Sequence, residues 1–491
     1  MKKWTIRFWA AFTAVSILSG CDAILEVEPQ SNITDEVYFR NESDFEPNVV
    51  GIYTVVRSLA NNVTYGTERG EELVSANNSR FTVAWSHTLS PTSGALNYAE
   101  WYRGIGHCNL ILEKIQAFPF ASNPDLKKTI QAEAHAMRAW FYFHLTRVIG
   151  DAAIMLQAVV DDNVPELPRS PATAVMTQIL ADIDAASQLY TSMNSFSKTS
   201  YPSRYRFSYG AVMAMKADAL MWQAKVLGGG NASLEAALDA IAEVEATGLR
   251  LNPIFEDVTK KRAKDNPEVI MAAFYHRDEM PGGNYGKNAL PYESILGGVI
   301  NIDSIPWVYQ SGNGQGAYQI SPLSRSLFTN TADVRIRCTW VTEIHADGPK
   351  VSWIRKMPGT KYPDDRISDN DVIIYRLADI LLLKAEAHAA LNQGSLAKAA
   401  LDQVRLRAGT GEYTGALDKS SLEREILNER GRELYFENKR WWDLVRFHKG
   451  GTLDIYQYIP NLIGKTTPLF WPLNTTVLAN NPKIDQTEGY K

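Results

Sequence analysis

Residues 428–449 read NERGRELYFENKRWWDLVRFHK, a run in which charged and aromatic side chains are interleaved. The carboxylates of Glu429, Glu433 and Glu437 follow one another every four residues, which places them on one face of a helix. Three arginines lie among them: Arg430, Arg432 and Arg440. We interpret the pattern as a helix-borne ladder of ion pairs and backbone contacts. The alternative, a glycosidase acid and nucleophile, needs two carboxyls about 5 Å apart across a cleft.

The helix that carries this run begins with the pattern of a capping box. Ser420 is followed three residues later by Glu423, and each side chain can accept a hydrogen bond from a free backbone amide. Apolar residues then recur at helical spacing, at Leu422, Ile426 and Leu434. The sequence therefore predicts a helix that starts near 420 and buries one face.

A short helical pattern is repeated along the chain. The pentapeptide AEAHA occurs at 132–136 and again at 385–389, and a related KADA occurs at 216–219. Glycine turns, at 228–230 and at Gly394, follow the copies at 216 and 385 and lead into new helical runs. Helix, turn and helix with small residues at the contact is typical of tetratricopeptide-like repeats. The uneven spacing predicts degenerate helix pairs interrupted by other sequence.

Two stretches break the helical pattern. Between about Asn252 and Asp371, Gly and Pro become frequent and short β-branched runs such as Val351–Ile354 appear. Residues 61–97 are rich in Asn, Ser and Thr, with aromatic residues interspersed. Long irregular stretches in compact proteins are often functional, so we expect binding residues in both.

The N-terminus has the composition of a secretory signal peptide. Lys2, Lys3 and Arg7 flank an apolar run, Phe8–Leu18, that is too short to span a bilayer. Small residues directly before Cys21 resemble the lipobox of bacterial lipoproteins, in which the cysteine is acylated with chains such as palmitate and becomes the first mature residue. Several acyl chains would anchor the protein firmly. The alternative is an ordinary signal peptide with a chance cysteine.

The composition is that of a globular protein, with 45% hydrophobic and 21% charged residues. Loss of the first 20 residues lowers the 50 basic side chains to 47 against 55 acidic ones, a net charge of −8, which argues against a nucleic-acid partner. Cys108 lies in a helical-looking segment and Cys338 in a strand-like one. A disulfide between them and two buried thiols both remain open.

Signatures of catalysis are missing from the sequence, which contains neither HExxH nor GxSxG. The eight histidines show no metal-ligand spacing. We interpret His135 and His388, inside the repeated pentapeptide, as packing residues. We therefore expect no catalytic residue, metal or cofactor.

The 428–449 run strongly resembles the signature helix of the SusD/RagB family of Bacteroidetes outer-membrane lipoproteins. The matching positions are Glu429, Arg430, Glu433, Leu434, Phe436, Glu437, Lys439, Arg440, Trp441, Asp443, Leu444 and Arg446. Leu25–Gln30 is similar to the family's opening and Phe470–Tyr490 to its ending. The resemblance covers essentially the whole mature chain.

This resemblance implies a mainly α fold in which tetratricopeptide-like helix pairs form a right-handed solenoid scaffold with an irregular, loop-rich insertion at about 252–371. It implies a signal peptide at 1–20, a lipidated tether at 21–40 and a single domain at 41–491. It also implies a non-enzymatic, surface-exposed outer-membrane protein that delivers oligosaccharides to a SusC-like TonB-dependent transporter. The alternatives are a peptide-binding member of the family, a surface glycoside hydrolase on a helical scaffold, and a pure assembly scaffold.

Oligosaccharides present apolar CH faces and hydroxyl rims, so a site for them needs flat aromatic surfaces with polar neighbours. In the family such residues come from the segment before the Trp101 helix and from the mid-chain excursion. The candidates in the first segment are Tyr65, Asn78, Arg80, Trp85 and Tyr98. Those in the second are Tyr285, Tyr292, Trp307, Tyr309 and Tyr318. Four further tryptophans are assigned to the core: Trp101, Trp140, Trp441 and Trp442.

Overall fold

A computed structural model of the chain describes residues 39–76, 82–159, 164–201 and 203–491. The chain divides into two units, Met1–Asp44 and Phe45–Lys491. In the first unit the described residues are 39–44, of which Glu42–Asp44 form a 3-10 turn. The predicted signal peptide and Cys21 lie outside the described residues. The predicted domain limits stay a prediction.

Helices make up most of the regular structure of the larger unit. In chain order they are α1 (Phe45–Ala60), α2 (Ala99–Lys114), α3 (Pro124–Ile149), α4 (Ala172–Thr191), α5 (Tyr209–Val226), α6 (Gly230–Glu245), α7 (Asp257–Lys260), α8 (Pro322–Ser326), α9 (Ile336–Thr339), α10 (Leu377–Ala390), α11 (Gly394–Arg407), α12 (Lys419–Glu433), α13 (Arg440–Lys449), α14 (Ile455–Tyr458) and α15 (Thr475–Asn480). The prediction of a mainly α fold is confirmed. No helix within the described ranges is long and apolar enough to cross a bilayer.

Strands are short, and most of them lie in the predicted excursion. They are β1 (Leu73–Ser75), β2 (Val269–Ala273), β3 (Tyr318–Ile320), β4 (Trp340–His345), β5 (Gly348–Ile354), β6 (Thr360–Lys361), β7 (Arg366–Ile367) and β8 (Val372–Arg376). An antiparallel sheet has the order β1-β3-β5-β4, while β2 pairs with β8 and β6 with β7. Val351–Ile354, predicted as strand-like, lies in β5.

The repeated pentapeptide and its relative mark real helices. AEAHA lies in α3 and α10, and KADA lies in α5. The helices that follow the last two copies pack back onto them, as α5 with α6 and α10 with α11. Gly228 and Gly230 adopt positive φ angles of 79° and 58° in the connecting turn, a conformation that glycine adopts without steric cost. The right-handed solenoid remains a prediction.

The helix α12 begins differently from the predicted capping box. Its N-cap is Asp418, whose Oδ1 accepts a hydrogen bond from the Ser421 amide at 3.0 Å. Glu423 is buried and accepts instead from Lys225 Nζ, at 2.6 Å, and from the Thr452 hydroxyl, at 2.5 Å. The carboxylate of Glu423 therefore bonds to neighbouring elements, and Asp418, two residues before the predicted Ser420, caps the helix.

Both internal cysteines are free and buried, so the disulfide alternative is not realised. Cys108 lies in α2, as expected. The prediction that Cys338 lies in a strand is wrong. This residue lies in α9, where its amide donates a hydrogen bond to Arg335 O at 3.0 Å. The strand β4 begins two residues later, at Trp340.

Candidate functional site

The two irregular segments meet in one sheet. In the antiparallel pair β1 and β3, Leu73 stands opposite Ile320 and Ser75 opposite Tyr318. The Ala76 amide extends the ladder by donating to Ala317 O at 2.9 Å. Segments that are more than 200 residues apart in sequence therefore form adjacent strands, as the prediction of a shared site requires.

An aromatic pair with one exposed ring lies at this junction. The rings of Trp307 and Tyr309 are 4.7 Å apart and nearly perpendicular, at 83°. Trp307 is half-buried and packs against a cluster that includes Ala76 and Trp353, whereas Tyr309 is 50% exposed. The core thus packs against the Trp307 ring, while the Tyr309 ring is exposed to solvent.

Asp365 fixes the loop that carries this pair. Its carboxylate accepts hydrogen bonds from the Tyr309 amide at 2.7 Å, the Gln310 amide at 3.2 Å and Asn313 Nδ2 at 2.8 Å. Burial opposes ionisation of Asp365, but these donors hold its pKa below the usual value. A loop that is fixed before a ligand arrives loses less conformational entropy on binding.

Two predicted tyrosines lie in the core instead. Tyr285 is 4% exposed and donates its hydroxyl to Phe436 O at 2.9 Å. Tyr318 is 8% exposed and donates to Glu68 Oε1 at 2.5 Å. Burial raises the pKa of both hydroxyls. Because their rings are covered and their hydroxyls already bonded, neither is placed to stack on a ligand.

The remaining candidates are spread over different surroundings. Tyr65 packs edge-on against Trp101, at 5.5 Å, and burial raises its pKa to about 12. Trp85 is half-buried and its indole donates to Leu73 O at 2.9 Å, which ties it to β1. Tyr98 lines a separate cleft of about 440 Å³.

Tyr292 is half-buried, and its backbone pairs with Val308, between Trp307 and Tyr309. Asn78 and Arg80 lie outside the described residues. The last described residue before them, Ala76, is buried in the cluster that supports Trp307. The four tryptophans assigned to the core are buried as predicted: Trp101, Trp140, Trp441 and Trp442.

The carboxylates of the 428–449 run are buried in ion pairs. Glu433 binds Arg335, Arg376 and Arg407. Glu437 pairs with Lys356 and Arg376, and Glu429 with Arg335 and Arg432. Burial raises the pKa of each glutamate, but the facing cations outweigh it and lower the pKa of all three.

The predicted ladder is therefore confirmed as ion pairing but wrong in its partners. Apart from Arg432, these cations come from distant elements: Arg335 precedes α9, Lys356 follows β5, Arg376 ends β8 and Arg407 ends α11. No local pattern in the sequence predicts ion pairs between residues so far apart. Fully buried carboxylates of this kind do not face a cleft, as a glycosidase pair must.

The two repeated histidines are hydrogen-bonded and partly exposed rather than packed in the core. His135 Nδ1 lies 2.7 Å from Asp182 Oδ1, and His388 Nδ1 lies 2.6 Å from Gln393 Oε1. The part of the chain that the structure describes contains no group of three His, Cys, Asp or Glu residues that could hold a metal ion.

The helical scaffold and the sheet together present an aromatic pair on a loop that the Asp365 carboxylate fixes. The model described as the SusD family matches residues 349–490, and one described as "Starch-binding associating with outer membrane" matches residues 24–219. The chain belongs to the SusD/RagB family.

Individual proteins resemble the chain over nearly its whole length. The SusD-like protein P38 of Formosa agariphila is 27% identical, with 97% of each chain covered. The structure of NanU from B. fragilis is 27% identical and has a TM-score of 0.79, covering 95% of this chain and all of that one. A laminarin-binding SusD-like protein has a TM-score of 0.71 at 20% identity, covering 92% of this chain and all of that one.

Proposed function

We propose that this protein captures oligosaccharides at the bacterial surface, holds them against Trp307 and Tyr309, and passes them to a SusC-like TonB-dependent transporter. A lipid on Cys21 would anchor it to the outer membrane. The observation that carries the proposal is the aromatic pair of half-buried Trp307 and exposed Tyr309, on a loop fixed by Asp365 at the junction of the two irregular segments.

The chemistry of the pair suits a sugar. An exposed ring can cover the CH face of a pyranose, and the polar groups beside it can bond the hydroxyl rim. A shallow surface of this kind gives dissociation constants in the micromolar to millimolar range, about −8 to −4 kcal/mol. Weak binding suits a protein that must release its ligand to a partner.

The relatives favour a saccharide over a peptide. One matching family model is described as starch-binding and as associating with the outer membrane. A solved neighbour of the same fold is a laminarin-binding SusD-like protein. A peptide ligand at the same surface is the alternative that the binding experiment distinguishes.

We also propose that the protein binds without turnover. The carboxylates that could have formed a glycosidase pair, Glu429, Glu433 and Glu437, are at most 5% exposed and paired with cations. Moving one of them to a substrate would break buried ion pairs and leave the surrounding cations with fewer negative partners, which is unfavourable in the protein interior.

The test is affinity electrophoresis of the mature protein through gels that contain starch, laminarin or other polysaccharides, followed by titration calorimetry. We expect Trp307→Ala and Tyr309→Ala each to weaken binding about tenfold, because stacking on an aromatic ring contributes about 0.5–1.5 kcal/mol beyond the area that it buries. Incubation with the same polysaccharides is expected to release no reducing ends.

Trp340→Ala is the matched control. Trp340 is also half-buried and also forms an edge-to-face pair, with Phe328 at 5.0 Å. Strand alternation points it away from the face on which Val341 packs with the Trp307 cluster. Unchanged affinity in both site variants would show that this surface does not bind the saccharide. Release of reducing ends would show that the protein is an enzyme. Heat of binding in a calorimetric titration with a peptide mixture, together with no retardation in any polysaccharide gel, would favour the peptide alternative.

A further inference from the structure

Arg366 lies beside the aromatic pair and has no ion-pair partner among the described residues. Its Nε donates to Trp307 O at 3.2 Å, and its Nη1 donates to Pro358 O at 3.0 Å and to Gly359 O at 3.3 Å. Its Nη2 makes no hydrogen bond in the described ranges. The guanidinium is thus fixed by backbone carbonyls while one of its edges stays free.

A second unpaired cation faces it. In the two-stranded ribbon of β6 and β7, Lys361 stands directly opposite Arg366, so both side chains share one face of the ribbon. Lys361 is exposed and has no ion pair within the described part of the chain. Like charges directly opposite one another destabilise a strand pair. Folding alone therefore gives no reason for this arrangement.

The carboxylates of the same turn are already occupied. Asp365 accepts from Tyr309, Gln310 and Asn313, and Asp364 binds both terminal nitrogens of Arg277 at 2.9 and 2.7 Å. Burial lowers the pKa of Arg366, Asp365 opposes that shift, and Arg355 adds to it. The surface beside Trp307 therefore has cationic groups that still lack an acceptor.

We propose that the saccharide bound at Trp307 and Tyr309 carries an anionic substituent, a carboxylate or a sulfate ester, that Arg366 and Lys361 receive. This inference rests on the proposed saccharide-binding function and narrows it to acidic glycans. Charge-assisted hydrogen bonds to such oxygens are about twice as strong as neutral ones, and the carbonyls that hold Arg366 keep it oriented before the ligand arrives.

The experiment compares matched probes on the mature full chain. Polygalacturonate is tested against its carboxyl-reduced form, and dextran sulfate against dextran, by affinity electrophoresis and calorimetry at low and high salt. We expect the charged member of at least one pair to bind more tightly, and the pair that shows the preference identifies carboxylate or sulfate. The preference is expected to shrink with salt, because exposed charges are screened.

Two variants and one control locate the effect. Arg366→Gln is expected to weaken binding of the charged probe about tenfold. Lys361→Gln is expected to weaken it about threefold and to leave binding of neutral probes unchanged. Arg366→Gln also loses hydrogen bonds to backbone carbonyls. Lys361→Gln removes no side-chain hydrogen bond or ion pair within the described chain, so it keeps the test independent of folding. Lys449→Gln removes an exposed cation on α13 and is expected to change nothing.

Each contrary result has a separate meaning. If the wild type binds charged and neutral members equally, or if Lys361→Gln and Lys449→Gln act alike, the acidic-glycan inference is overturned and saccharide binding stands. If the wild type binds no saccharide, charged or neutral, the proposed function fails together with the inference.

Discussion

Glu72 is a buried acid whose surroundings favour its neutral form. It is 1% exposed; its Oε1 accepts from the Phe436 amide at 3.0 Å, and its Oε2 has no partner in the described structure. Burial raises the pKa of Glu72 to about 8, and Glu71 adds to the effect. The charges of Arg440 and Lys356 oppose this shift, but burial outweighs them because a carboxylate kept from water is costly.

We predict that Glu72→Gln raises stability at pH 9 but not at pH 5. Because the pKa is higher in the folded state than the ordinary value of 4.5, the folded protein holds this proton more tightly. The stabilisation that comes from holding this proton is fully present below pH 4.5 and is lost as the pH rises through about 8. The difference at pH 9 is expected to be a few kcal/mol, measured by thermal unfolding.

The exposed Glu235 supplies the control for this titration. Glu235→Gln is expected to leave the melting temperature within a degree or two of the wild type at either pH. A gain in the Glu72 variant that is the same at pH 5 and pH 9 would show that the change acts through packing and not through the proton.

At the scale of elements, the spacing between α2 and α3 depends on one glycine. A Cβ on Gly104 would lie 2.5 Å from the ring of Phe141 on α3, closer than real Cβ atoms approach. Gly106 lies two residues further along the same helix, and a Cβ there would have no atom within 4 Å. The two positions therefore differ in packing while sharing the same helix.

These glycines make a matched pair for mutation. Gly104→Ala is expected to destabilise the protein by about 1–3 kcal/mol, because the two helices must separate. Gly106→Ala is expected to stabilise it by about 0.5–1 kcal/mol, because alanine is the better helix former. Urea unfolding of both variants checks the prediction, and equal effects of the same sign would contradict it.

The turn between α12 and α13 shows how one element positions another. Phe436 and Asn438 adopt positive φ angles of 59° and 60°. Phe436 packs on Tyr285 with ring centres 5.2 Å apart, and the Asn438 backbone leaves no room for a side chain at Gly66. The excursion and the 61–97 segment are thus both held against the 428–449 run.

At the scale of the molecule, buried ion pairs connect the excursion to the helical scaffold. Arg376 bridges Glu268, Glu433 and Glu437, and Arg407 bridges Glu268 and Glu433. Removing one carboxylate leaves these buried arginines with fewer negative partners, which costs more than losing an exposed pair. The network therefore fixes which segments lie together.

We predict that a lipid on Cys21 anchors the chain to the outer membrane. Mass spectrometry of the native protein is expected to find an acylated Cys21 at the mature N-terminus, and fractionation to find the protein in the outer membrane. Cys21→Ser should release it, because the apolar anchor is lost. Cys108→Ser changes a buried free thiol and should leave the protein membrane-bound. An unmodified Cys21, or wild-type protein free in the periplasm, would refute the anchor.

The amino-acid sequence alone determined the elements of this protein. The repeated pentapeptide, the apolar periodicity of α12 and the breaks at 61–97 and 252–371 are local patterns, and local backbone and side-chain preferences act within a few residues. Sequence also nominated Trp307 and Tyr309, although it could not separate them from Tyr285 and Tyr318, since all four are aromatic residues in one irregular segment.

Only the tertiary structure decided which aromatic rings are exposed and which cations meet Glu433. Those outcomes depend on contacts between residues far apart in the chain, such as Glu433 with Arg335 or β1 with β3. Burial of a charge or a ring is a property of everything packed around it. No short pattern encodes that environment, because the surrounding residues come from many separate segments.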